Sequence, residues 1–187
     1  MNTTIGDTIE QQQIAARWWR GLQPHTDGQP NPRADRAALA RLRRADLLAA
    51  MQEPATFVLF HQLGRRCPEH LPEVALCAAV LAGVRDDRTE HPARTLGPPS
   101  IDADAAAQAV MKPLRFRRLI GASDQQELLT ALRRAVALAG GEINVRELAA
   151  ACLNWSEPRR RRWIFEYYNA GFAAPAGDRA AQEEVQP

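Results

Sequence analysis

Apolar residues recur along this chain at three- and four-residue spacing, segment after segment, while sustained two-residue alternation is nearly absent. The pattern predicts an all-α fold. Ile14, Ala15, Trp18, Trp19 and Leu22 make the first stripe. Thr8 and Gln11 precede it at capping-box spacing, and a loop from Pro24 to Pro32 follows. Asn31-Pro32 opens a second predicted helix to about Ala50. Its apolar face carries Ala38, Leu39, Leu42 and Ala45; its polar face carries Arg33, Arg36, Arg41, Arg43 and Arg44. Pro54 starts a third helix. The stretch Leu71 to Val84 is a fourth, apolar on nearly every side and so the expected centre of the core.

Residues 85–99 are polar, bear proline and glycine, and are too long for a tight helix–helix turn. They predict a linker. The expected organisation is an N-terminal helical lobe (1–84), the linker (85–99), a C-terminal basic helical lobe (100–172) and a disordered tail (173–187), the two small lobes forming an elongated helical bundle. In the second lobe Ser100 caps a helix from Ile101 to Met111, and a basic helix covers Met111 to Ala122. Ser123 and Gln126 form another capping box for a helix to Ala139, with Leu128, Leu132, Ala135, Val136 and Ala139 facing inward. Gly140-Gly141 stops it. Asn144 caps the next helix, and Ser156 the last, which ends near Ala170. On that last helix Trp163, Ile164, Tyr167 and Tyr168 span one face and read as core.

The polar faces change the picture. The chain has 23 Arg and a single Lys, Lys112, yet its net charge is only +2. The charge is segregated. Acids gather at Asp86, Asp87 and Glu90 and in the tail at Asp178, Glu183 and Glu184. Between Met111 and Ala122 stand four basic residues and no acidic one; at about 100° per residue Phe116, Leu119 and Ile120 take one side, and Arg115, Arg117 and Arg118 the other. Guanidinium is planar, always charged and able to grip phosphate with two parallel N–H bonds. A second cluster, Arg159 to Arg162, points in four directions and sits in the first turns of its helix, where the dipole disfavours cations. Pairing of Arg162 with Glu166 at i,i+4 is expected to offset part of this. Arg133 and Arg134 flank the apolar stripe of their own helix. Segregated charge of this kind predicts a positive surface and a nucleic-acid partner rather than a small metabolite.

Catalytic patterns are poor. Cys67, Cys77 and Cys152 are an odd number without CxxC spacing, which fits free, mostly buried thiols in a reducing cytoplasmic setting. Cys67 and His70 have metal-like spacing but no second ligand pair. Asp102 and Asp104 suit the first turn of a helix. There is no P-loop and no Gly-rich dinucleotide turn, so neither enzyme activity nor a cofactor is expected. No membrane span and no signal peptide is read.

Several segments taken in order resemble a known family. These are Trp18-Trp19, the Arg-bearing stretch from Arg33 to Ala45, RFRRL (Arg115 to Leu119), LRRA (Leu132 to Ala135), and the ending from Leu153-Asn154-Trp155 to Tyr167-Tyr168. Over roughly residues 14–170 they resemble the CasB small subunit of the type I-E CRISPR surveillance complex, Cascade. The resemblance implies an all-helical, non-catalytic subunit present as a pair. Its implied partners are crRNA, target DNA including the displaced strand, other Cascade subunits and a second copy of itself. Arg43, Arg44, Arg115, Arg133 and Arg134 fall where that family carries phosphate-facing basic residues. Arg159, Arg160, Arg161 and Arg162 fall in a terminal helix that is also basic there. Pro113 and the acidic tail depart from the pattern. Two other readings stay open. One is a helix-turn-helix regulator with Arg159 to Arg162 opening a recognition helix. The other is a scaffold whose Arg faces meet acidic proteins.

Overall fold

The structure is a computed structural model that describes residues 5–26, 28–99 and 107–170. It is all-α, with ten α-helices among the described residues. Helix α1 spans Ile5–Leu22, α2 Arg36–Arg44, α3 Leu47–Met51, α4 Pro54–Gln62 and α5 Leu71–Leu81. Helix α6 spans Pro92–Leu96, α7 Pro113–Ile120, α8 Gln125–Leu138, α9 Val145–Leu153 and α10 Glu157–Tyr168. Helix α5 is the hub. Every residue from Val74 to Ala82 is buried, and α2, α3, α4, α8 and α9 pack around it, which is why its sequence is apolar on all sides. One continuous buried cluster runs from Ala15 on α1 to Tyr167 on α10, and α1 lies against α9. The tryptophan pair ties α1 to two other parts of the chain. The Trp18 indole donates to the Ala55 carbonyl (2.9 Å) and the Trp19 indole to the Val84 carbonyl (3.3 Å).

Several helix ends differ from the sequence expectation, each for a local reason. Helix α1 begins at Ile5, ahead of the Thr8 capping position. The helix expected from Asn31 to Ala50 is two helices. Asn31 closes a turn instead, its side-chain amide donating to the Gly21 and Gln23 carbonyls (2.9 and 3.0 Å). Asp35 then caps α2 and Asp46 caps α3, each accepting from a backbone N–H three residues on. Helix α7 starts at Pro113 rather than Met111, because proline suits a first helical position whose N–H has no intrahelical partner. Asp124, not Ser123, caps α8, and Glu127 reaches back to the Ser123 N–H and hydroxyl (3.0 Å each). Asn144 caps α9 as expected, accepting from the Glu147 N–H (2.9 Å). Of the helix expected from Ile101 to Met111, residues up to 106 lie outside the described residues, while residues 107–111 form turns and bends rather than α-helix; the tail after residue 173 also lies outside the described residues.

Two small strand pairs accompany the helices. His25–Thr26 (β1) runs antiparallel to Gln29–Pro30 (β2), and Asp86–Asp87 (β3) runs parallel to Glu142–Ile143 (β4). The second pair sits inside the segment expected as a linker. Around it, Asp87 accepts from the Val145 N–H (2.9 Å), Asn144 donates to the Thr89 carbonyl (3.0 Å), and Arg88 pairs with Glu142. Gly97, at the end of α6, lies so close to α10 that a Cβ would run into the Tyr167 carbonyl and, at 2.7 Å, the Ala170 methyl.

Candidate nucleic-acid interface

Helix α7 is held by its aromatic side and shows its basic side. Phe116 is buried and stacks on Tyr167 of α10 with ring centroids 3.8 Å apart and planes 10° from parallel. The Tyr167 hydroxyl donates to the Met111 carbonyl (2.5 Å), just before α7 begins. Burial pushes this phenol up to about 12, so it stays protonated and keeps donating. With Phe116 and Leu119 inward, Arg115, Arg117 and Arg118 are exposed, as the periodicity predicts. None of the three has a carboxylate partner among the described residues, and α7 contains no acid. Arg44 on α2 and Arg134 on α8 are likewise exposed and unpaired among the described residues.

Other predicted arginines do a different job. The last carbonyls of a helix lack intrahelical partners, and cations are favourable there. Arg43 donates through Nε to the Ala82 carbonyl at the end of α5 (2.6 Å). Arg133, half-buried, donates to the Leu42 carbonyl in the last turn of α2 and to the Ala79 carbonyl of α5 (3.5 Å). Burial lowers the Arg133 pKa, with Asp46 opposing. Arg159 donates to the Asn154 carbonyl that ends α9 (2.9 Å), and Arg160 to the Ala122 carbonyl beyond α7 (3.3 Å). Arg133 therefore does not stand at an exposed helix edge; it clasps two helices.

The terminal cluster is also mostly engaged. Arg162 pairs with Glu147 of α9 (3.4 Å), not with Glu166 as expected, because Glu166 is held by Arg94 of the neighbouring α6 (2.8 Å). Arg161 pairs with Glu157 on the surface (3.5 Å). Arg161 and Arg162 stay exposed at the start of α10, each with a carboxylate beside it. Buried His91 sits beside Glu147. Its Nδ1 accepts from the Ala93 N–H (3.2 Å), so the proton of the neutral ring is on Nε2, facing Glu147 at 3.8 Å. Burial brings its pKa down to about 4; Arg162, Arg159 and Arg94 push the same way, and Glu166 opposes them. His91 is neutral near pH 7.

The aromatic face of α10 is only half core. Trp163 and Tyr167 are buried, whereas Ile164, Phe165 and Tyr168 are exposed, as is Leu114 of α7. Of the cysteines, Cys77 and Cys152 are buried, and burial together with Cys77 pushes the Cys152 thiol up. Cys67 is exposed, contrary to the expected buried thiol. His70 faces Glu73 (3.1 Å). No helix among the described residues is long and apolar enough to cross a membrane.

Among the basic residues without an expected role is Arg85, the first residue of the expected linker. Arg85 lines a cavity of about 330 Å³ between α2, α5 and α8 together with Arg43 and Arg133. Its stem crosses the backbone of Gly141, where a Cβ would stand 3.1 Å from Arg85 Cγ. The available signal was the doubled glycine: both Gly140 and Gly141 have positive φ (66° and 81°), although one such residue suffices to end a helix.

No curated protein sequence matches the chain significantly. Among solved structures, a chain from E. coli Cascade bound to a PAM-containing double-stranded DNA target is similar in fold. It has a TM-score of 0.58 and 18% identity over 86% of this chain and 95% of that one. The profile of CRISPR-associated protein Cse2 matches residues 38–168, which run from within α2 to the end of α10. An all-α body of this topology and a match over most of its length lead to one conclusion: the chain belongs to the CRISPR-associated Cse2 family.

Proposed function

We propose that this protein is a non-catalytic subunit of an RNA-guided CRISPR surveillance complex, where it binds nucleic-acid backbone without sequence preference and stabilises the R-loop. The observation that carries the reading is the α7 face. Arg115, Arg117 and Arg118 project from a rigidly seated helix with no acid to neutralise them among the described residues. Family membership and the fold shared with a Cascade chain supply the setting. Guanidinium groups that grip phosphates position a strand without reading its sequence. Arg44 and Arg134 are further candidates for such contacts. Arg43, Arg133, Arg159 and Arg160 support the helices that carry the surface.

Binding of the isolated chain to mixed-sequence oligonucleotides over a range of salt tests the reading. Log affinity is expected to fall with log salt by ~0.7 per phosphate neutralised on single strands and ~0.9 on duplex, alike for unrelated sequences. Affinity independent of salt, or a strong preference for one sequence, would overturn it.

A further inference from the structure

Helix α10 brings the end of the described chain to α7. Tyr167 stacks on Phe116 (centroids 3.8 Å apart), and the Tyr168 ring stands edge-on to the same Phe116 at 6.3 Å. Asn169 caps the helix, and the described residues end at Ala170. Residues 171–187 follow in sequence. They carry Asp178, Glu183 and Glu184 against a single cation, Arg179, so this stretch is net negative although the whole chain is +2. Helix α7 is the reverse. Arg115, Arg117 and Arg118 are exposed, Lys112 is exposed just before its first turn, and α7 contains no acid. Arg94, Arg161 and Arg162 on the neighbouring α6 and α10 already have carboxylates within the fold; the α7 arginines have none among the described residues. The chain thus leaves the described fold beside a face opposite in charge to the residues that follow.

We propose that the acidic stretch from Asp178 to Glu184 docks on the α7 face of its own chain and competes there with nucleic-acid phosphate. The inference rests on the reading above that this face binds nucleic-acid backbone. Reach allows it. At ~3.3–3.6 Å per residue, Asp178 lies within about 30 Å of Ala170 and Glu184 within about 50 Å, while α7 is only ~12 Å long. Tethering holds the carboxylates at an effective concentration in the millimolar range, which offsets the weakness of each exposed ion pair. The chemistry matches too, since guanidinium grips carboxylate and phosphate with the same two parallel N–H bonds. A polynucleotide presents a denser row of charge than these three carboxylates, so a strand displaces the stretch rather than being shut out. The stretch therefore tempers binding, most at low salt, where ion pairs are least screened.

The test compares the full chain with a variant carrying Asp178→Asn, Glu183→Gln and Glu184→Gln, each with and without alanines at Arg115, Arg117 and Arg118. Binding of fluorescein-labelled oligothymidylate is followed across a salt series. Neutralising the acids should tighten binding several-fold at ~50 mM salt and steepen the salt slope, and the two curves should meet by ~0.5 M as screening releases the docked stretch. In the alanine background the same neutralisation should change affinity little. Lys112, the single lysine of the chain, reports docking without nucleic acid. A carbodiimide that joins carboxylate to amine should link Lys112 to Asp178, Glu183 or Glu184 within one chain, and added oligothymidylate should suppress the link. Tightening that is equal with and without the α7 arginines would be a general charge effect and would overturn the docking. So would links formed only between chains and rising with protein concentration, which would put the stretch on a second copy. If neutralisation has no effect and no link forms while the alanines weaken strand binding, the docking is refuted and the proposed function stands. If the alanines leave strand binding unchanged, the proposed function falls and the competition falls with it.

Discussion

Arg133→Met keeps most of the aliphatic length of the side chain and removes only the guanidinium that joins α8 to α2 and α5. In the parent that group donates to the Leu42 and Ala79 carbonyls, and the Leu42 carbonyl lies in the last turn of α2, where helical partners run out. A hydrogen bond from a charged donor contributes about 1.5–3 kcal/mol. Half-burial allows water to replace part of it, and removing the buried charge recovers some desolvation, which burial's lowering of the Arg133 pKa reflects. The net loss should be about 2 kcal/mol. For a chain of this length each kcal/mol corresponds to ~2–4 °C in Tm, so a fall of roughly 4–8 °C is expected. Arg134→Met, one residue on but exposed, should stay within ~0.5 kcal/mol of the parent. Thermal unfolding followed by circular dichroism at matched pH and salt measures both. Equal Tm values for the two variants would refute the division between clasping and surface arginines. The division matters for function, because weaker DNA binding after loss of Arg133 then reports on folding before it reports on contact.

Further expectations concern the packing behind the surface. His91 has its pKa lowered to about 4, so the unfolded chain binds the extra proton first; stability should be level above about pH 6.5 and fall as pH drops towards 4. The loss at the acid end is on the order of 3 kcal/mol, and urea titrations of wild type and His91→Gln at pH 7 and 4.5 should show a steeper acid loss in the wild type. Identical pH dependence would count against a buried neutral His91. Gly97→Ala forces a methyl into the α10 backbone and should destabilise by about 1–3 kcal/mol, read as a lower urea midpoint; an unchanged midpoint would mean α6 and α10 are not so closely apposed. Tyr167→Phe leaves the Met111 carbonyl without its donor and should cost about 1–2 kcal/mol while the stack on Phe116 persists, and no loss by the same titration would deny that hydrogen bond a structural role.

The helices were legible because their signals are local. Periodicity located α5 as the hub and put Phe116 inward with Arg115, Arg117 and Arg118 outward, since a helix face is fixed by spacing within a few residues. The break between α2 and α3 was missed because Asp46 read as one polar position among many, when its side chain was acting as a cap. The uses of the arginines were not legible. Arg133 and Arg134 are neighbours with the same chemistry, and only the approach of the α2 and α5 carbonyls separates them. The same holds for Arg162, whose expected partner Glu166 was taken by Arg94, 72 positions away in sequence. Arg85 was hidden by the acids around it and by tertiary placement against Gly141.

The most direct measurement compares surveillance complexes assembled with the wild-type subunit or with alanines at Arg115, Arg117 and Arg118, at matched subunit occupancy. These residues are exposed and unpaired among the described residues, so folding and incorporation should be retained. Target-DNA affinity and exposure of the displaced strand to a single-strand-specific chemical probe are read across a salt series. The account predicts a weaker R-loop and a shallower salt slope for the triple variant, by up to ~2 on a single strand if all three neutralise phosphates, with guide-RNA retention unchanged. Equal affinity and equal salt dependence would remove the α7 face from R-loop stabilisation and contradict the proposed function.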